Sequence, residues 1–162
     1  MEHSDEGVQE IHRWFGSIPH PGNDNLLYKG SGYMDDGDIE FLYSYENRPW
    51  QSINLSRLEV EGSCMTSLSD KGLQYILPAY LVLFRVHGFD PNGYGWIDRI
   101  LEQLASKGKG EMELSSRQFA IIEKYFLQEV EKAWLTGKWS SEFDIDVQDA
   151  LQQARMNYGD MR

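Results

Sequence analysis

The chain has a single cysteine, Cys64, in 162 residues. That excludes an internal disulfide framework and fits a reducing cytoplasm. Long apolar stretches are scarce too. The longest run, Leu73 to Phe84, falls short of the roughly 20 residues that a membrane-spanning helix needs. Met1 to Gly7 are acidic and polar, without the basic start and apolar stretch of a secretory signal. These absences predict a cytoplasmic protein. Basic residues are also in deficit, and the formal net charge is −11. A surface of that sign repels phosphate backbones and anionic lipid, which argues against nucleic-acid and membrane partners. It attracts and steers a basic protein partner, and it also keeps a protein soluble.

The acidity is uneven. Residues 1–64 hold twelve acids against four bases, a net −8, and residues 65–139 balance at nine of each. Residues 140–162 hold five acids against two bases, a net −3.

Period-two alternation is missing from every segment of useful length, whereas helical spacing recurs, so the sequence predicts a mostly α fold. The expected architecture is a compact single-domain bundle of about six helices, with an irregular Pro/Gly-rich loop after the first. The length suits one domain with its own core. A family-like part would cover 8–135, and a carboxy-terminal helical extension 140–162. Val8, Ile11, Trp14 and Phe15 mark a first helix over 5–15, capped by Ser4 or Asp5 and ended by Gly16. Pro19 and Pro21 stiffen the following loop, which runs to Asn25. Carboxylates at 35, 36 and 38 open a helix near 37–46. A short helix near 55–61, capped by Asn54, comes next.

Ser69 caps a central helix over 70–87, in which Pro78 predicts a kink or split near Tyr75 to Leu77. Residues 96–105 form a helix with Ile97, Ile100, Leu101 and Leu104 on one face. Ser115 and Gln118 match a capping box ahead of a helix over 116–135, and Gly137 ends it. Phe119, Ile122, Tyr125, Phe126 and Val130 form its apolar stripe, with Glu123, Lys124, Glu131 and Lys132 on the polar side. Asp144 or Asp146 begins a last helix over 145–157.

Sites of chemistry are harder to find. Asp90 to Asp98 imitates part of a calcium loop, but Tyr94 and Leu101 stand where oxygen ligands belong. The histidines at 3, 12, 20 and 87 have no partner at zinc-like spacing. Gly30-Ser31-Gly32 lacks the spacing of a nucleophile elbow, and Lys107 to Gly110 lacks the ending of a phosphate loop. The residues therefore predict no catalytic motif, no metal and no cofactor. What remains is Asp35, Asp36, Asp38 and Glu40, which read as a solvated helix start and as a docking face for a basic protein. The loop pair Asp24 and Asn25 is the second choice for that face. Most of the five tryptophans read as core, while Trp139 and Phe143 border a polar segment where exposed anchors could sit.

Three segments together carry a resemblance. They are Phe15-Gly-Ser-Ile-Pro-His-Pro-Gly-Asn-Asp-Asn25, Pro49-Trp50, and Leu68-Ser-x-x-Gly-Leu-x-Tyr-x-Leu-Pro-Ala-Tyr-Leu81. This pattern resembles an uncharacterised bacterial domain family of unknown function. In that family a first helix leads into a Pro-Gly-Asp-Asn loop, then a Trp segment and a Tyr-x-Leu-Pro-Ala-Tyr helix. The resemblance spans roughly residues 8–135 and implies a helical fold without catalytic residues to carry over. The chain's general appearance, small and acidic, suggests an immunity-type inhibitor of a bacterial toxin. Two alternatives stay open. One is an enzyme with a site near the Pro19–Asn25 loop, using Asp24, His20 or Tyr80. The other is a structural or phage-related homo-oligomer.

Overall fold

The computed structural model describes residues 5–16, 18–26, 40, 41, 43–60, 68–88, 97–106, 112–141 and 146–159. The side chains of residues 59, 60 and 99 are not among those described. The protein is mostly α, and the described residues contain no β-strand. Seven helices are described, against the expected six or so. The chain divides into two compact units, Met1–Gly88 and Phe89–Arg162.

In the first unit, α1 spans Glu6–Phe15 and α2 is a single turn, Asn23–Leu26. A 3₁₀ turn at Trp50–Ser52 leads to α3, Leu55–Val60, and then to α4, Asp70–His87. Local chemistry sets the starts. Asp5 caps α1 by accepting from the Gly7 and Val8 amides at 2.8 and 3.3 Å. Asn54 accepts from the Arg57 amide, and Ser69 from the Gly72 amide. Arg85, near the end of α4, donates to the Asp5 carboxylate at 2.8 Å. That bond, helped by the two amides, holds the Asp5 carboxyl below the usual carboxylate range.

α4 is the core of this unit. Leu73 and Tyr75 through Phe84 are all buried, so the helix hides every face. Against it pack α1, α2, α3 and the 3₁₀ turn. α1 contributes Ile11 and Phe15, both fully buried. Each such side chain stabilises the fold by about 1.5–3 kcal/mol relative to exposure. The helix is not split at Pro78. It runs uninterrupted from Asp70 to His87, because Ile76, Leu77, Ala79 and Tyr80 are packed on both sides of the proline. Packing here outweighs the one backbone bond that Pro78 forgoes.

In the second unit, α5 spans Ile97–Ala105 and buries Ile97, Ile100, Leu101 and Leu104, as the spacing predicts. α6 is assembled from Ser116–Ile122, a wide π-type turn at Glu123–Leu127, and Gln128–Leu135. Its start is the predicted capping box. The Gln118 amide donates to Ser115 Oγ, and the Ser115 amide donates to Gln118 Oε1. Its end is a Schellman turn, in which Lys138 N–H reaches Ala133 O and Gly137 N–H reaches Trp134 O. Gly137 takes the left-handed conformation that this turn requires. α7, Val147–Tyr158, is capped by Asp146 and buries Val147, Ala150, Leu151, Ala154 and Tyr158 against the unit's core. It packs mainly on α5 and also on α6. The carboxy-terminal segment therefore belongs to the core of its unit. Trp139, considered above as an exposed anchor, is 7% exposed and packs inside.

Candidate partner-binding surface

The Pro/Gly-rich loop is built onto the start of α4. Leu26 is fully buried, and its carbonyl accepts from the Ser69 backbone amide at 3.0 Å. Ser69 Oγ also donates to Asn25 O at 2.5 Å. Gly72 lies against the Leu26 carbonyl so closely that any side chain there would collide with it. His20 packs edge-on against the Tyr75 ring, with centroids 4.8 Å apart. The Tyr75 hydroxyl donates to Arg48 O at 2.7 Å, and burial raises its pKa above the ordinary value. Trp50 Nε1 donates to Phe15 O at 2.6 Å, tying the 3₁₀ turn to the end of α1. Seven residues of the sequence pattern, Phe15, His20, Asn25, Trp50, Ser69, Gly72 and Tyr75, thus take part in contacts that fasten the loop and the 3₁₀ turn to α1 and α4.

On this frame the predicted contact residues fall into two groups. Asp24 and Glu40 are exposed, Asp24 on α2 and Glu40 at a helical turn formed by residues 40, 41 and 43. Glu40 rims an open depression of about 570 Å³, shared with Phe41, Tyr43, Ser44 and Arg57. The Arg57 guanidinium covers the Phe41 ring at 4.9 Å. Asn25 is exposed as well, but its side chain donates to Pro21 O at 3.0 Å and its carbonyl accepts from Ser69, so it serves the loop itself. Asp35, Asp36 and Asp38 lie outside the described residues, as do Cys64, Phe143, the Gly30–Gly32 and Lys107–Gly110 segments and most of the calcium-like stretch. Asp98, the described end of that stretch, is 2% exposed in the first turn of α5.

Two features escape sequence reasoning. Glu46 accepts from the Asn23 amide at 2.6 Å, joining the turn after residue 43 to the loop. In the second unit, Arg155 reaches two carboxylates of α6. Its Nε donates to Glu123 at 3.0 Å and its Nη1 to Glu131 at 3.0 Å. The bond to Glu131, followed by that to Glu123, raises the Arg155 pKa. The wide turn explains the arrangement. Residues eight apart on a regular α-helix differ by about 80° in direction. The extra residue accommodated at Glu123–Leu127 takes up that difference, so both carboxylates meet one guanidinium. The cluster borders an open depression of about 520 Å³ lined by Gln148, Gln152, Met156 and Gly159. The signal in the sequence was only that Glu123 and Glu131 share a polar face, and nothing there named Arg155.

Among the described residues no group of three or more His, Cys, Asp or Glu is placed to hold a metal ion. Among the described residues, no helix is long and apolar enough to cross a membrane. No protein-family model, no curated protein and no solved structure matches the chain.

Proposed function

We propose that the protein is a non-catalytic, acidic protein-binding domain whose partner is basic, and that it is an immunity-type inhibitor neutralising a bacterial toxin by occluding a basic surface. The observation that carries this reading is the excess of acid in the first unit. Residues 1–88 hold thirteen acids against six bases, and two of the candidate contacts, Asp24 and Glu40, stand exposed on it. Opposite charge accelerates capture of a basic cleft and disfavours wrong partners. The catalytic alternative has less support. Tyr80 is fully buried in α4, and His20 Nδ1 is engaged by the Gly22 backbone amide.

The test has two stages. A tagged protein is used to capture partners from bacterial lysate at low salt, with elution by a salt gradient. Association with the captured partner is then timed for the wild type and for a variant with Asp24, Asp35, Asp36, Asp38 and Glu40 all changed to Lys. The on-rate should fall about tenfold or more, and its salt dependence should flatten. An unchanged on-rate would remove these residues from the interface.

A further inference from the structure

We infer that His20 is a proton-sensitive latch for the Pro21–Asn25 segment. Its Nδ1 accepts a hydrogen bond from the Gly22 amide at 2.9 Å. Only a neutral imidazole with its proton on Nε2 can do this, because both nitrogens of an imidazolium donate. Protonation therefore sets Nδ1–H against the Gly22 N–H, and one of the two must move. The ring has little room to yield. Its edge meets Tyr75, which is 1% exposed, and its Nε2 is turned into the protein.

The loop has a fixed end and an end that can give. Leu26 is buried and is bonded through its carbonyl to Ser69, so the far end stays on α4. Besides the Asn23 amide's bond to Glu46, the near end is gathered by three bonds within the loop. These are Gly22 to His20, Asn25 N–H to Gly22 O at 3.0 Å, and the Asn25 side chain to Pro21 O. Losing the first loosens the backbone from which the other two are hung, with Asn23 still tied to Glu46. The piece that moves carries exposed Asp24. Among the described residues, the titratable and charged groups bonded to or carried by this loop and its Tyr75 support are Tyr75 from α4, Glu46 and Arg48 from the turn before the 3₁₀ segment, and Asp24 on the loop itself. Glu46 bonds the Asn23 amide, and the Arg48 carbonyl accepts from Tyr75. Histidine is the side chain that gains charge on mild acidification, so the latch opens as pH falls.

The experiment is an NMR titration of the full chain from about pH 7.5 to 5, a span that brackets an ordinary histidine. It follows the His20 ring nitrogens and the amides of Gly22, Asp24 and Asn25. At the upper end Nε2 should carry the proton, and the three amides should shift with the same midpoint as the ring. Protection of the Gly22 amide from exchange should fall about fivefold, the equilibrium weight of one ordinary hydrogen bond. His20→Asn keeps an acceptor near the Nδ1 position but cannot titrate, so its amides should stay flat. His20→Ala should show the acid-form positions at every pH. Two results would overturn the latch. One is a proton on Nδ1 at neutral pH, and the other is amide shifts in His20→Asn equal to those of the wild type.

Discussion

Single atoms decide how the loop meets α4. Gly72 faces the Leu26 carbonyl with no space for a methyl group, and the obstacle is backbone held in place by Ser69. It cannot be cleared by turning a rotamer. Gly72→Ala must push the loop away from α4 or distort the first turn of the helix, and overpacking of this kind costs about 1–3 kcal/mol. In an exposed helix the same substitution would be stabilising by up to about 1 kcal/mol, since alanine is the better helix former. The two expectations differ in sign, so urea unfolding of the variant discriminates cleanly. A raised midpoint would mean that the loop does not press on α4 as described. Such a collision is invisible in the sequence, where the glycine stands three places after a cap like any first-turn residue.

Helix starts were legible because capping is local. The side chains of Asp5, Asn54, Ser69, Ser115 and Asp146 each bond an amide two or three residues ahead, and no distant contact is needed to foresee it. The wide turn in α6 was not legible. Glu123 to Leu127 is an ordinary helical sequence, and its expansion brings together two carboxylates and an arginine 24 or more residues away. The partner face was legible only as composition. Glu40 and Asp24 are exposed as expected, but nothing in the spacing revealed that Asn25 is occupied by its own loop. The Arg155 cluster gives a test at this scale. Each ion pair is partly exposed, so each contributes about 0–1 kcal/mol. Removing the arginine also leaves two carboxylates repelling each other. Glu131→Gln should therefore destabilise the wild type modestly. In an Arg155→Met background it should be neutral or stabilising. A double-mutant cycle in urea measures the difference, and an equal cost in both backgrounds would mean that Arg155 does not couple to Glu131.

Charge acts on the whole chain. The total of −11 divides into −7 for residues 1–88 and −4 for residues 89–162, so acid is in excess in both units. Repulsion among these charges opposes folding, whereas the ion pairs Asp5–Arg85 and Arg155 with Glu123 and Glu131 favour it. Salt weakens both. The pairs are short, while the repulsion is summed over the many remaining acids of the chain and acts over a longer range, where salt screens most strongly. Screening therefore removes more of the unfavourable part than of the favourable part. Raising sodium chloride from about 10 to 150 mM, where the Debye length shrinks from about 30 to 8 Å, should raise the thermal midpoint at neutral pH. The rise should be smaller for a variant with Asp24 and Glu40 changed to Lys, because four units of the imbalance are then gone. A midpoint that falls with added salt would place the electrostatic stability in the local pairs, and the acid excess would then have no measurable cost to the fold.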